Sequence, residues 1–542
     1  MIEEADYVVC GGGSAGCATA ARLSEDPDKR VILLEVGDAD ERLLVDVPAG
    51  LMAVVANPET NWMYFTEPDP TQKDRRVFWS SGRGLGGGSR INGMVYIRGT
   101  TYDYDHWAKE LGCTGWSWDE VLPYFKKSED FDGPDGPAHG KGGPLGVSRL
   151  RAMHPLAHAF MDACQEVGMK QVREYCEGDI DGTFVNYATQ RNGKRCSAAE
   201  GFLKPAMNRP NLKVITGAMV DRILFEGNRA TGVRFLYNGK PRDIRVHGEV
   251  ILSAGTIQTP PILMRSGVGP GGHLQQHGID VVAAREQVGR NLHEHPSLPN
   301  SRLVDQPTYN VRRNPFILGR EGLKYLLTRR GWLATCAVHA MAHVRSDPDL
   351  AYPDIKYQML PFWADANVKA YFGGKDTTVP DSTRHHGITI GVNLMTPNSR
   401  GQILLNDTDP ASRPKIDFRI YDDPADLERM RKGLKFANSI FEAPALAKHV
   451  KGPANPPNPH QSDEEWDDQL RACSATGLHP VGTCRMGSDA DAVVDTQLRV
   501  NGVERVRIAD CSIIPLLPSA NTNAPAIMIG ERCADFVHGN RR

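Results

Sequence analysis

The chain has 542 residues, 24% of which are charged, and its formal net charge is −3 at pH 7. A single compact core stops growing at about 250–300 residues, so this length predicts two or three domains. The near balance of charge, without a basic run, argues against a nucleic-acid partner, and no apolar stretch approaches the roughly 20 residues of a membrane span.

Eleven cysteines are scattered along the chain, and none of them forms a C-x-x-C pair. This usage fits reduced thiols better than a disulfide framework, and it gives no structural zinc site. A first strand begins by Tyr7, which leaves no room for a secretion signal. We therefore expect a cytoplasmic protein.

The first motif along the chain is a G-x-G-x-x-G pattern formed by Gly11, Gly13 and Gly16. It lies between an apolar run and a helix-like stretch that ends at Leu23. At a strand-to-helix junction such glycines allow a tight turn and close approach of the backbone to a pyrophosphate. A second apolar run ends at Glu35, a carboxylate placed to accept hydrogen bonds from ribose hydroxyls. The segment predicts a bound dinucleotide.

Further along, a loop at residues 82–93 contains six glycines, which would let the backbone approach a flat or phosphorylated ligand. Later apolar runs predict four strands, at residues 212–215, 220–225, 231–235 and 249–253. A helix is predicted over residues 260–265. The last strand and this helix form a second βα element, which we expect to join the sheet that begins at Tyr7.

Between about residues 301 and 470, apolar segments alternate with charged loops. This pattern predicts a separate sheet-and-helix domain. Residues 451–460 and 372–383 are predicted to be irregular loops. The run His293-Glu294-His295 resembles a metal cluster, but successive side chains diverge on a helix or strand. We predict a structural role for it, and no metal site.

The glycine loop identifies a family. Residues 82–96 and 255–269 resemble the two signatures of the glucose–methanol–choline (GMC) oxidoreductases. Residues 479–487, 507–510 and 519–525 match the same family in the same order. The resemblance therefore covers essentially the whole chain.

This resemblance implies an α/β fold, in which a Rossmann-like FAD-binding domain of the GMC type is joined by an α+β substrate-binding domain. The FAD-binding domain is expected from three segments, residues 1–155, 192–300 and 470–542. The substrate-binding domain is expected from two segments, residues 156–191 and 301–469.

The resemblance also implies FAD as the cofactor. The residues expected to bind it are Gly11, Gly13, Ser14, Ala15, Gly16, Glu35, Arg83, Gly86, Gly87, Gly88, Ser89, Asn92, Gly93, Met94, Val220, Ala254, Gly255, Asp510, Cys511, Asn521 and Asn523. Some family members attach FAD covalently through a histidine in the glycine loop. Ile91 stands at the equivalent position here, so we expect non-covalent FAD.

His479 matches the catalytic histidine of the family, and Asn521 matches its partner. The implied reaction is oxidation of a primary alcohol to the aldehyde by hydride transfer to flavin N5, with His479 as base. An aromatic, furanic or otherwise activated alcohol is expected. Apolar candidates for the substrate pocket are Leu360, Phe362, Trp363 and Leu394.

Two alternatives stay open. One is a dehydrogenase of long-chain aliphatic alcohols or choline that uses a quinone-type acceptor. The other is a non-oxidative enzyme on the same scaffold, such as a fatty-acid photodecarboxylase or a hydroxynitrile lyase. Oxygen, a quinone or an artificial acceptor would take the electrons, and the protein is expected to be a monomer or a homodimer.

Overall fold

The computed structural model describes residues 3–38, 43–311, 315–363 and 385–539. The predicted loop at residues 372–383 lies outside these ranges. Within them the α/β fold with a second sheet-and-helix region is confirmed. None of the helices in the described ranges is long and apolar enough to cross a membrane.

The strands of the described residues are, in chain order, β1 (Glu3–Cys10), β2 (Val31–Leu34), β3 (Tyr64–Phe65), β4 (Phe78–Trp79), β5 (Val95–Tyr96), β6 (Glu129–Phe131), β7 (Leu145–Arg149), β8 (Gly182–Val185), β9 (Tyr187–Ala188), β10 (Gln190–Arg191), β11 (Lys194–Arg195), β12 (Leu212–Ile215), β13 (Ala218–Glu226), β14 (Arg229–Tyr237), β15 (Lys240–Leu252), β16 (Val268–Gly269), β17 (Ala283–Ala284), β18 (Pro296–Val304), β19 (Ala340–Val344), β20 (Ile355–Leu360), β21 (Gly387–Leu394), β22 (Gln402–Leu404), β23 (Lys415–Asp417), β24 (Val450–Asn455), β25 (Ala475–Thr476) and β26 (Val506–Ile508). The α-helices are α1 (Ser14–Leu23), α2 (Leu43–Asp46), α3 (Leu51–Val55), α4 (Gly88–Ile91), α5 (Thr101–Lys109), α6 (Trp118–Ser128), α7 (Pro155–Glu166), α8 (Lys204–Ala206), α9 (Gly255–Arg265), α10 (Gly271–Gln276), α11 (Pro315–Thr328), α12 (Pro424–Glu442), α13 (Pro444–Ala447), α14 (Asp463–Cys473) and α15 (Asn523–Val537).

A seven-stranded sheet carries the G-x-G-x-x-G motif. Its order is β12-β2-β1-β15-β14-β13, and β26 pairs alongside β15. β1 runs parallel to both β2 and β15, so the carboxyl ends of these strands meet at one edge. α1 leaves β1 at this edge and α9 follows β15, which confirms the predicted second βα element. Ligands of such sheets bind in the crevice at this edge.

A second large sheet is antiparallel and has the order β24-β18-β21-β20-β19-β8, with β25 paired to β18. On β20 the side chains alternate between two faces. Ile355, Tyr357 and Met359 are buried in an apolar core that α12 also enters. The other face of β20 points toward the first sheet's crevice, as described below. The predicted domain boundaries remain predictions.

Two local predictions are wrong. α9 begins at Gly255 rather than at Pro260. Pro260 and Pro261 therefore lie inside the helix and do not mark its first turn. A proline at 260 removes the hydrogen bond to the carbonyl of Thr256, and this carbonyl instead accepts from the Thr483 hydroxyl at 2.7 Å. The predicted loop at 451–460 contains most of β24, an edge strand, where a proline is tolerated because one side of the strand is unpaired.

Candidate active site

One cavity of about 570 Å³ runs from the G-x-G-x-x-G motif to residues 477–480. The predicted site residues that line it are Gly11, Gly13, Ser14, Ala15, Glu35, Gly87, Gly88, Asn92, Gly93, Met94, Val220, Ala254, Gly255, His479, Asp510, Cys511, Asn521 and Asn523. We call the part near Gly11 the dinucleotide end and the part near His479 the reaction end.

Four predicted FAD residues do not line the cavity but support its wall. Gly16 packs on Gly11, where an added Cβ would collide with the Gly11 carbonyl oxygen. The backbone N–H of Gly86 donates to the carbonyl of residue 12 at 2.7 Å, and the Ser89 hydroxyl donates to the Gly86 carbonyl at 2.6 Å. The guanidinium of Arg83 lies 5.5 Å from the centre of the Trp62 ring.

Glu35 ties three segments of the dinucleotide end together. Its Oε2 accepts from the N–H of Gly12 at 2.8 Å. Its Oε1 accepts from the N–H groups of Gly37 at 2.9 Å and Gly84 at 3.0 Å. The carboxylate that the sequence predicts as a ribose acceptor is therefore also a structural acceptor for the loops around it.

Two helices open toward the dinucleotide end. α1 and α15 begin after Gly13 and Thr522, and neither amino terminus is capped by a side chain. The hydroxyl of Ser14 donates to Oδ1 of Asn523 at 2.8 Å, which holds the two helix starts together. Uncapped N–H groups and the helix dipoles favour an anion such as a pyrophosphate.

The cavity walls fit a bound FAD. A Cβ added at Gly88, Gly93 or Gly255 would meet no atom within 4 Å, so a side chain there would enter the cavity. Nδ2 of Asn523 and Oγ of Ser253 are buried at the cavity without a hydrogen-bond partner among the described residues. Because buried polar atoms are almost always paired, these groups are available to a polar ligand.

The carboxylate of Asp510 accepts hydrogen bonds from neighbouring protein groups. Its Oδ2 accepts from the N–H of Gly255 at 2.9 Å and from the hydroxyl of Thr259 at 2.6 Å, and its Oδ1 accepts from the N–H of Ser512 at 2.8 Å. It thereby fixes the start of α9 against the crevice. Burial raises the pKa of this carboxyl.

At the reaction end, the structure brings His479 and Asn521 together as predicted. Nδ2 of Asn521 lies 2.8 Å from Nε2 of His479. His479 belongs to a short segment that follows β25 and is bonded to residues 293–295, since the N–H of Gly477 donates to the His295 carbonyl at 2.8 Å. Asn521 follows Ser519, whose N–H and hydroxyl both donate to the buried Asp103 at 3.0 Å.

The second ring nitrogen of His479 contacts another histidine. Nδ1 of His479 lies 3.0 Å from Nδ1 of His295. The carboxylate of Glu294 accepts from the backbone N–H groups of both histidines, at 2.5 Å from His479 and 2.8 Å from His295. Burial of the Glu294 carboxyl raises its pKa to about 8. Burial and the nearby Lys356 hold the pKa of His479 well below its usual range.

Lys356, on β20, completes the reaction end. Its side chain is fully buried, and Nζ donates to Oδ1 of Asn521 at 3.3 Å. Burial lowers the pKa of Lys356 to about 7, and Glu294 opposes this shift. Two residues further on, Gln358 lies on the same face of β20 and lines the cavity.

Sequence reasoning missed the neighbours of His479. Glu294 and His295 were assigned to a structural run, and Lys356 carried no motif that could have marked it. Of the apolar pocket candidates, Leu360 lines the cavity, whereas Leu394 is buried in the core of the second sheet and Phe362 and Trp363 are not part of the cavity wall. Aromatic side chains that do line it include Trp62 and Trp79.

Glu294, His295 and His479 each bring a potential ligand atom within 4.8 Å of the others. The prediction of a structural role for residues 293–295 therefore did not take the nearby His479 into account. Both oxygens of Glu294 already accept backbone N–H groups, and the ammonium of Lys356 lies close by. This arrangement suits a hydrogen-bond network better than a cation.

Comparisons with known proteins show the family of the chain. A family model described as GMC oxidoreductase matches residues 5–297, and a second model of that description matches residues 397–530. An oxygen-dependent choline dehydrogenase from Sinorhizobium medicae is 37% identical over 541 residues, which cover 99% of this chain and 96% of that protein.

Two solved structures share the fold over their whole lengths. Pyridoxine 4-oxidase from Mesorbium loti has a TM-score of 0.88 at 30% identity, covering 99% of this chain and 100% of that one. A variant of formate oxidase from Aspergillus oryzae has a TM-score of 0.92 at 26% identity, covering 99% of each chain.

The glycine-lined crevice, the paired His479 and Asn521, and the length of these matches agree with one another. The chain therefore belongs to the GMC oxidoreductase family and is an FAD-dependent oxidoreductase that acts on CH–OH donors.

Proposed function

We propose that this protein oxidises an uncharged primary alcohol next to an aromatic or furanic ring to the aldehyde, with His479 as the base. The observation that carries the proposal is the contact between Nε2 of His479 and the Asn521 amide at the reaction end of the cavity. A neutral histidine and an amide at the reacting hydroxyl suit removal of a proton from an alcohol.

In this reaction, Nε2 of His479 accepts the hydroxyl proton, and the Asn521 amide orients the alcohol oxygen. FAD, when bound, supplies the acceptor for the hydride that leaves the α-carbon. The low pKa of His479 keeps its ring neutral at physiological pH, so that one ring nitrogen carries an electron pair that can take a proton. The buried position of His479 limits competition from water.

Electrostatics supports an uncharged substrate. The carboxylates that line the described part of the cavity are Glu35 and Asp510, and the oxygens of both already accept hydrogen bonds. The ring of Trp62, a possible partner for a quaternary ammonium, lies beside the Arg83 guanidinium. The cationic group of Lys356 lies behind Asn521. These charges disfavour a trimethylammonium group.

An adjacent ring is favoured on chemical grounds, because hydride departure leaves positive character on carbon that a π-system disperses. Pyridoxine, named in one structural relative, carries hydroxymethyl groups on an aromatic ring. Trp62 and Leu360 offer apolar area for such a ring.

The second candidate is a choline dehydrogenase, which the name of the relative from Sinorhizobium medicae favours. An anaerobic panel of alcohols, monitored by bleaching of the flavin, separates the two. We expect kcat/KM for benzylic or furanic alcohols to exceed that for choline by at least about tenfold, a difference of about 1.4 kcal/mol. A panel led by choline, sugars or long-chain alkanols would overturn the substrate assignment.

Admission of air to the reduced enzyme then distinguishes oxygen from a quinone as electron acceptor. Leu478, whose backbone has a φ of 67°, borders the cavity beside His479 and is 44% exposed. Rapid recovery of the yellow colour indicates an oxidase. Slow recovery, accelerated by a soluble quinone, indicates a dehydrogenase.

We further propose that FAD is held without a covalent bond. Ile91 lines the cavity and offers no nucleophile. Acid denaturation should therefore release intact FAD into the supernatant, whereas flavin that stays with the precipitated chain would contradict the proposal. The scattered cysteines, which form no C-x-x-C pair, support the proposal of a reducing, cytoplasmic location.

A further inference from the structure

One lysine at the reaction end, Lys356, takes no direct part in the proposed proton transfer. Lys356 is fully buried, and its Nζ donates to the side-chain oxygen of Asn521. We propose that Lys356 is a positioning residue that sets, through the Asn521 amide, which nitrogen of His479 is free to accept a proton. This inference rests on the proposed role of His479 as the base.

The orientation of the amide follows from the donor chemistry of lysine. An ammonium has three N–H donors and no acceptor, and a neutral amine still has two donors, so Oδ1 of Asn521 must face Nζ. The NH₂ group of the amide is then directed toward His479, with Nδ2 at 2.8 Å from Nε2. Nε2 must therefore be the acceptor in this contact.

The tautomers of both histidines follow in turn. A neutral imidazole carries one N–H, so an acceptor at Nε2 of His479 places its proton on Nδ1. This N–H can donate to Nδ1 of His295 at 3.0 Å, which leaves the proton of His295 on Nε2. One chain of donors thus runs from Lys356 through Asn521 and His479 to His295.

The electron pair of Nε2 accepts from the Asn521 amide in this arrangement, and an alcohol that enters between the two groups would take over that pair while its oxygen accepts from the amide. If the Asn521 amide were reversed, its oxygen would face Nε2 and would favour a proton there. A histidine protonated on Nε2 cannot take a proton at that atom. Lys356 opposes this reversal, because the reversed NH₂ group would face the donors of Lys356 with no acceptor between them.

Lys356 also acts through its charge. The ionisable groups near His479 are Lys356 on β20 and the adjoining Glu294 and His295, and His343 on β19 pairs with Lys356 across the sheet. A cation close to His479 disfavours its imidazolium form. Removal of this cation should therefore raise the pKa of His479 and move the acid limb of the rate profile to higher pH.

The first test is Lys356→Met in the FAD-bound enzyme, with the rate of anaerobic flavin reduction measured from about pH 4 to 9. We expect the plateau rate to fall roughly tenfold, the loss of one charge-assisted hydrogen bond. We also expect the acid limb to move up by about one pH unit. Lys356→Arg keeps the charge and should restore the wild-type position of the limb.

A matched control is Gln358→Leu, on the same face of the same strand. This substitution changes the cavity wall and should alter KM, but it leaves the donor chain intact and should not move the acid limb. A purely structural role for Lys356 would lower the rate of Lys356→Met equally at every pH. That result, with the acid limb unmoved, would overturn the proposal.

The second test needs no turnover. In FAD-bound wild-type enzyme with ¹⁵N-labelled histidine, the His479 signal is assigned by its loss in His479→Gln. We expect Nε2 to show the chemical shift of an unprotonated nitrogen and Nδ1 that of an N–H. A proton on Nε2 at neutral pH would overturn the proposal, even if Lys356→Met fails to fold. Since this measurement uses no alcohol, its outcome is separate from the failure of any alcohol to reduce the flavin.

Discussion

The two ends of the cavity are built in different ways. The dinucleotide end consists largely of glycine backbone and the uncapped starts of α1 and α15. The reaction end consists of side chains from distant segments, with His295, Lys356, His479 and Asn521 meeting within a few ångströms.

The difference shows which parts of the sequence each function depends on. Backbone recognition of a phosphate needs only local freedom from side chains, so it can be changed by one residue in one loop. Proton transfer needs several side chains in a defined relation, so it depends on the packing of the two large sheets against each other. Substitutions at one end should therefore leave the function of the other end intact.

His479→Ala should remove the base at the reaction end and leave the binding of FAD at the dinucleotide end unchanged. We expect FAD to remain bound while anaerobic reduction by the best alcohol slows by roughly 10²–10⁴-fold, the usual range for loss of a general base. Stopped-flow absorbance of the flavin measures the rate. His460→Ala, at an exposed histidine near Glu442, serves as the control and should reduce at the wild-type rate. Wild-type rates in both variants would show that the base lies elsewhere.

Asn521→Ala should slow the same step by less, about 10- to 100-fold, because a polar contact to the alcohol oxygen is lost while the base remains. Asn521→Asp makes the comparison sharper. Its carboxylate would face Nε2 of His479 and stabilise a proton there, so its acid limb should move to higher pH. If Asn521→Asp matches wild type at every pH, Asn521 does not contact His479 during reduction.

Glu35→Ala should damage the dinucleotide end and leave the chemistry of bound FAD unchanged. It removes the acceptor of three backbone N–H groups as well as the expected ribose contact, so we expect the Kd of FAD to rise by about tenfold or more. Glu35→Gln keeps one oxygen and should lose less. Fluorescence titration of the apoprotein measures the Kd, and an unchanged value in Glu35→Ala would place the ribose elsewhere.

Acid should lower the stability of the folded protein, because several of its buried histidines stay neutral only in the folded state. Burial holds the pKa of His293, His295, His343 and His479 well below that of an unfolded histidine. The unfolded chain therefore binds more protons below about pH 6.5, and each such histidine removes up to about 1.4 kcal/mol of stability per pH unit as the pH falls. We expect Tm to decline below pH 6.5. A Tm that is constant from pH 7 to 5 would contradict these burial-induced shifts.

The sequence signals for the dinucleotide end are mostly local. Gly11, Gly13 and Gly16 require particular backbone conformations and close contacts, and these requirements are visible in neighbouring residues. The fold class and the pairing of β1 with β15 follow from the same βα patterns. The start of α9 was missed because prolines inside a helix are normally signals of its first turn.

The reaction end is only partly predictable. His479 and Asn521 were found by resemblance to a family, whereas Lys356 lies in an ordinary apolar strand. Its position beside Asn521 depends on how the second sheet docks on the first, and no local pattern records that arrangement. The apolar candidate Leu394 failed for a related reason, since hydrophobic residues of a strand can face either the cavity or the core.

The hydrogen bond between Ser14 and Asn523 joins residues 509 positions apart. Behind it, Arg22 forms a two-pronged ion pair with Glu531, and the backbones of α1 and α15 touch where a Cβ at Gly530 would collide with Ala15. The proposed phosphate site at the start of the chain is thus complete only when α15 has been synthesised. We therefore expect the flavin to bind after translation, and a ribosome-bound chain that stops before Asn523 should stay colourless in the presence of FAD.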